Sequence, residues 1–99
     1  EKLSFDGLQI DAVARSVEVD GRQVALTVRE FDILFHLASH PRQVFAREQL
    51  LSSLWEDEFE GDASTVTVHV RRLRAKIEAD ASRPVHVRTV WGVGYKFEP

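Results

Sequence analysis

The chain predicts an α+β domain, and three observations carry that expectation. Short alternating apolar segments surround two Asp-Gly pairs before residue 26, three stretches between Thr27 and Glu78 repeat apolar residues at helical spacing, and alternation returns after Pro84 around Trp91-Gly92. Strands, then helices, then a closing hairpin within 99 residues describe one domain with one core, residues 1–99. The expected architecture is a winged helix-turn-helix: an N-terminal antiparallel β-sheet, three helices and a C-terminal β-hairpin wing.

The elements follow in order. Leu3-Ser4-Phe5 and Leu8-Gln9-Ile10 alternate around Asp6-Gly7, and Val17-Glu18-Val19 and Gln23-Val24 flank Asp20-Gly21. Asp-Gly favours two-residue hairpin turns, in which both positions must reach positive φ. Such strands need a partner layer, which helices can supply. The first helix starts at Thr27, where Thr27-Val28-Arg29-Glu30 fits a capping box. Phe31, Leu34, Phe35 and Ala38 then recur at helical spacing, with Ile33 and Leu37 widening the stripe, until His40-Pro41 stops it. The second spans about Arg47 to Trp55, with Leu50, Leu51 and Leu54 inward; Ala46 is a poor N-cap, although Glu48 suits the helix dipole. The acidic stretch through Gly61 reads as an exposed loop. The third helix covers 63–78 with Asp62 or Ser64 as its cap, and the wing covers 85–98, its strands His86 to Val90 and Val93 to Phe97 flanking Trp91-Gly92.

Charge is unevenly distributed. Residues 1–62 carry 6 basic and 13 acidic side chains, residues 63–97 carry 7 basic and 2 acidic, and Glu98 completes a net charge of −3. A bound polyanion feels the field within a Debye length of about 8–10 Å, so the basic pole decides, whatever the total. The absence of cysteine excludes a disulfide framework and thiolate zinc sites. No apolar run approaches the roughly 18 residues of a membrane span, and no signal-peptide core is present, so no membrane partner is expected. A chain that opens at Glu1 and holds no methionine is expected to be a piece of something longer.

The third helix holds His69-Val70-Arg71-Arg72-Leu73-Arg74-Ala75-Lys76, four cations and no acid. At 100° per residue, Val66, Val70, Leu73 and Ile77 form the inner stripe. Opposite lie Ser64, Val68 and Ala75, flanked by Arg71 and Arg72. Thr65, His69 and Lys76 occupy one shoulder; Thr67 and Arg74 occupy the other. Small outward residues with arginines at both sides suit the B-DNA major groove, about 12 Å wide. Arg72 or Arg71 could grip guanine bidentately, Val68 could meet a thymine methyl, and the shoulders could hold phosphates. No acid stands at i−4 of these cations to make them a solvated ion-paired face.

Other chemistries find less support. His36 and His40 have the spacing of a two-histidine zinc pair, but Leu37 stands where a metalloprotease needs glutamate, and surface imidazoles at a helix C-terminus explain them. The serines lack a G-x-S-x-G setting, and the carboxylates of 56–62 lack EF-hand spacing. No catalytic residue, metal or cofactor is expected, and the chain is not read as an enzyme. The alternative from another class is a winged helix that docks on protein, its acidic loop and basic helix acting as complementary surfaces.

Four blocks, Leu26 to Phe31, Arg47 to Leu51, Thr65 to Ile77 and Thr89 to Phe97, stand in an order and spacing that resemble the effector domain of OmpR/PhoB-type bacterial response regulators. The resemblance implies a cytoplasmic transcription factor of a two-component phosphorelay that binds double-stranded DNA, as tandem copies on direct repeats. It also implies an N-terminal receiver domain, phosphorylated by a histidine kinase. By matching position, Val68 and Arg72, with Arg71 beside them, would face bases. Trp55, Thr65, His69, Arg71, Arg74, Thr89 and Tyr95 would sit near phosphates, and Glu56, Asp57, Glu58 and Glu60 would lie in the loop that meets RNA polymerase. Two positions depart from the pattern. Thr67 replaces a frequent aspartate, leaving a more positive local field. Trp91 replaces a wing-tip arginine, and an indole cannot exploit the potential of a narrow minor groove as arginine does. Arg88 or Lys96 is then expected on the backbone, or Trp91 against sugars.

Overall fold

The computed structural model describes residues 1–55 and 62–99, so the acidic residues Glu56, Asp57, Glu58 and Glu60 of the expected polymerase loop lie outside the described residues. Four strands, β1 (Lys2–Phe5), β2 (Leu8–Asp11), β3 (Ser16–Val19) and β4 (Arg22–Val24), form an antiparallel meander in that order. Leu8, Ile10 and Val17 point inward from it and are buried. Asp20 and Gly21 both take positive φ, 51° and 81°, as a two-residue turn between twisted strands requires. The first turn departs from that expectation. Only Gly7 is at positive φ, 75°, so Asp6-Gly7 closes the β1–β2 hairpin by a different turn.

Helix α1 (Val28–Ala38) opens with both halves of the capping box: the Glu30 amide donates to Thr27 Oγ1, and the Thr27 amide to Glu30 Oε1. α2 (Arg47–Trp55) solves its poor N-cap with half of that device. Gln49 Oε1 accepts from the Ala46 amide at 2.7 Å, a bond that needs no hydroxyl at the cap. α3 runs over Ser64–Ile77, slightly inside the expected bounds, and neither expected cap holds the N-cap position, which is Ala63. Asp62 still serves the first turn, its carboxylate accepting from the Ser64 amide at 3.0 Å and from the Ser64 hydroxyl. Those bonds hold its carboxyl below the usual range.

α1 and α2 both pack on α3, and α1 also meets the wing. The wing pairs β5 (Val87–Val90) with β6 (Gly94–Phe97), Val90 opposite Gly94, so Val93 belongs to a three-residue turn rather than to the strand expected for it. The Val93 amide closes the turn on the Val90 carbonyl at 2.9 Å, and Gly92 supplies its positive φ. The wing is anchored from both sides. Phe45, ahead of α2, exchanges backbone hydrogen bonds with Tyr95, and a Cβ on Gly94 would stand 1.9 Å from the Phe45 carbonyl oxygen. Only glycine allows that approach. The Phe97 ring, fully buried, meets Phe5 of the N-terminal sheet at 4.7 Å.

Candidate nucleic-acid interface

The inner stripe of α3, Val66, Val70, Leu73 and Ile77, is buried, and the opposite ridge is bare. Val68 is 38% exposed, and Ser64, Arg71, Arg72 and Ala75 are exposed around it. Among the described residues neither Arg71 nor Arg72 has an ion-pair or hydrogen-bond partner on its guanidinium. Two unneutralised cations thus flank a low ridge, held out by a helix whose other side is fixed in the core.

Thr65 and His69 sit half-buried on one shoulder. His69 Nδ1 lies 2.8 Å from the Thr65 carbonyl, and a bond to a carbonyl requires the proton on Nδ1. Trp55, at the end of α2, is just 8% exposed, its ring edge-on to His69 at 5.3 Å with the Arg29 guanidinium 5.0 Å over it. Trp55 thus packs between His69 and Arg29.

The cations nearer the helix end are spent internally. Arg74 donates from Nε to the Val87 carbonyl at 2.8 Å and from Nη2 to Thr89 Oγ1 at 2.7 Å, with its guanidinium 5.5 Å from the Tyr95 ring centre. It braces the wing against α3. Lys76, expected on a phosphate-holding shoulder, instead donates from Nζ to Glu30 Oε1 at 2.6 Å. Glu30 is a buried carboxylate, 1% exposed. Burial would push its carboxyl up, but hydrogen bonds from Lys76 and the Thr27 amide, with the Lys76 charge, hold it below the usual range. One residue beyond α3, the Glu78 carboxylate accepts from the amides of Val85, His86 and Val87, tying down the entry to β5. Nothing in the sequence pattern singles out the Glu30–Lys76 pair, which spans 46 residues, or this Glu78 clamp, which spans a turn of 7–9 residues, because neither spacing is a helical or strand period.

In the wing, Thr89 is half-buried beside Arg74. Tyr95 is nearly buried, its hydroxyl 3.5 Å from Thr67 Oγ1. Arg88 is exposed with Nε bonded to the Val85 carbonyl, and Lys96 pairs with Glu98 at 3.5 Å. Trp91 at the tip is 88% exposed. Two clefts connect these parts: one of about 300 Å³ lies between α3 and the wing and includes Arg71, Arg74 and Trp91, and one of about 470 Å³ reaches from Thr67 and the wing to Arg47 and Glu48 at the start of α2. His36 departs from the surface-imidazole expectation. It is half-buried against Phe45, ring centres 4.7 Å apart, and burial, with the neighbouring His40, lowers its pKa.

A family model described as the C-terminal domain of transcriptional regulatory proteins matches residues 21–97. The chain belongs to that family. Within it, the type is that of the OmpR/PhoB response regulators. The transcriptional regulatory protein SrrA of Staphylococcus aureus is 48% identical over 97 residues, covering 97% of this chain and 40% of that protein. The response regulator DrrB of Thermotoga maritima, an OmpR/PhoB homologue, superposes with a TM-score of 0.93 at 38% identity over 99% of this chain and 44% of that one. The RstA DNA-binding domain of Klebsiella pneumoniae, solved in complex with the RstA box, gives 0.89 at 38% identity over 100% of this chain and 98% of that one. The chain thus spans about two fifths of the length of the curated relatives it matches. Among the described residues no helix is long and apolar enough to cross a membrane.

Proposed function

We propose that this domain regulates transcription by binding double-stranded DNA sequence-specifically, with α3 in the major groove and the wing on the adjacent backbone and minor groove. One observation carries the reading: the outward ridge of α3 leaves Val68, Arg71 and Arg72 exposed above a fully buried inner stripe, with no ion-pair or hydrogen-bond partner on either guanidinium among the described residues. These three are assigned to base edges. Thr65, His69, Arg88, Thr89 and Lys96 are assigned to the sugar-phosphate backbone, with Trp55, Arg74 and Tyr95 at that boundary mainly holding their neighbours in place. The similarity to a domain described with its DNA box supports the assignment of partner. The domain's role is binding, with no catalytic step.

The wider setting follows the family. The domain is proposed to act in the bacterial cytoplasm beneath a receiver domain that a histidine kinase phosphorylates, to bind as a tandem pair on direct repeats, and to meet RNA polymerase through Glu56, Asp57, Glu58 and Glu60. A single module of this size buries only about 600–1,000 Å² on DNA, which favours paired sites. Selection of duplexes from a random pool tests the reading: it should return a repeated half-site, bound with steep salt dependence. Recovery of unrelated sequences with no salt dependence would leave the protein-docking alternative standing.

A further inference from the structure

Arg47 is the first residue of α2, and its sequence setting alone assigns it no role. Its side chain is exposed, and among the described residues its one hydrogen bond runs from Nη1 to the hydroxyl of Thr67 on α3, at 3.1 Å. That partner is neutral. Glu48 lines the same cleft and Asp62 feels the Arg47 charge, yet neither makes an ion pair with it. By contrast Arg15, Arg29 and Arg42 are each held by a carboxylate, and Arg74 is held by the wing. Arg47 is therefore positioned by a hydrogen bond without being neutralised. It also stands in the right place, lining the 470 Å³ cleft together with Thr89 and Tyr95 of the wing.

We propose that Arg47 is a phosphate contact at the start of the first helix of the helix-turn-helix; the inference rests on the DNA-binding reading above. A guanidinium with four N–H donors uncommitted recognises a phosphate bidentately. The first helix of such a motif crosses the DNA backbone while the second enters the groove. Held on Thr67, the guanidinium ties that crossing directly to α3, so one contact fixes how the recognition helix sits along the groove. It positions, and it carries no sequence information.

The test is Arg47→Gln, with affinity measured against salt for a selected duplex and for a scrambled one. Loss of one neutralised phosphate should flatten the slope of log affinity on log salt by about 0.9, with roughly tenfold weaker binding to both duplexes. Arg47→Lys should keep the slope, since the charge remains, and lose part of the affinity. An unchanged thermal midpoint is expected for both, because the side chain is exposed. A slope unaltered by Arg47→Gln overturns the proposal, and so does a loss confined to the selected duplex, which would make Arg47 a base reader. If the unsubstituted domain bound neither duplex with salt dependence, the parent reading would fall with it.

Discussion

Arg71 and Arg72 belong to the same basic run as Arg74 and Lys76, and the two pairs have opposite fates. Among the described residues the first two stand free on the outer ridge of α3; the last two are bonded to Thr89 and Val87 of the wing and to the buried Glu30 of α1. A count of charges treats all four alike. What separates them is the turn of helix each occupies and what the fold brings opposite, so the length of a basic run overstates its contacts with a polyanion. The prediction is a double dissociation: substitutions at one end should damage the fold, and at the other end only recognition.

The largest effect on folding should come from Lys76→Met. It leaves the Glu30 carboxylate buried without its cation, at a cost of about 1–3 kcal/mol, below the roughly 3–5 kcal/mol of a fully buried pair because Lys76 keeps contact with water. The pH dependence has a definite sign. Glu30 has a folded pKa below its unfolded value, so its stabilisation is complete above the unfolded pKa, about 4.5, and is lost as pH falls through the folded value. The difference between parent and variant in denaturant titrations should therefore shrink on acidification, since a protonated Glu30 no longer needs Lys76. A difference that stayed constant from pH 7 to pH 3 would show the pair to be energetically idle.

Arg72→Ala should do the reverse. Melting should be unchanged within a few tenths of a kcal/mol, as for other exposed substitutions. Discrimination between the selected duplex and one altered at a single base pair should fall by about 1–3 kcal/mol. Equal weakening for every duplex would reassign Arg72 to the backbone and remove the contrast with Arg47.

Much of this was legible beforehand because it is local. The capping box at Thr27, the Pro41 stop, the Asp20-Gly21 turn and the buried face of α3 all depend on residues within four positions of one another, and each stands as periodicity and turn chemistry require. What was illegible is long-range. Lys76 meets Glu30 across 46 residues and Arg47 meets Thr67 across 20, and no helical period links such positions. The place of Val93 is illegible for a different reason: its apolar side chain continues the alternation, while the register pairs Val90 with Gly94, which lies against Phe45, and leaves Val93 in the turn.

The smallest predicted effect concerns the wing, where the contrast can be sharpened. Trp91 is 88% exposed, and among the described residues its indole has no ring or hydrogen-bond partner. The free group at this tip is therefore an indole, whereas on α3 the free groups are guanidiniums. A neutral ring gains little from the negative potential of a narrow A-tract minor groove, which attracts arginine. The unsubstituted domain should accordingly bind duplexes with A-tract and with G·C flanks almost equally. Trp91→Arg should tighten binding to the A-tract duplex alone, by somewhat less than 1 kcal/mol at low salt, because one exposed charge is screened within about 10 Å at 0.1 M. Competition between the two flanks measures this directly. If the parent already preferred A-tracts as strongly as the arginine variant, the wing would be reading groove width through Arg88 or Lys96, and the division between a charged helix and an apolar tip would not govern how this domain meets DNA.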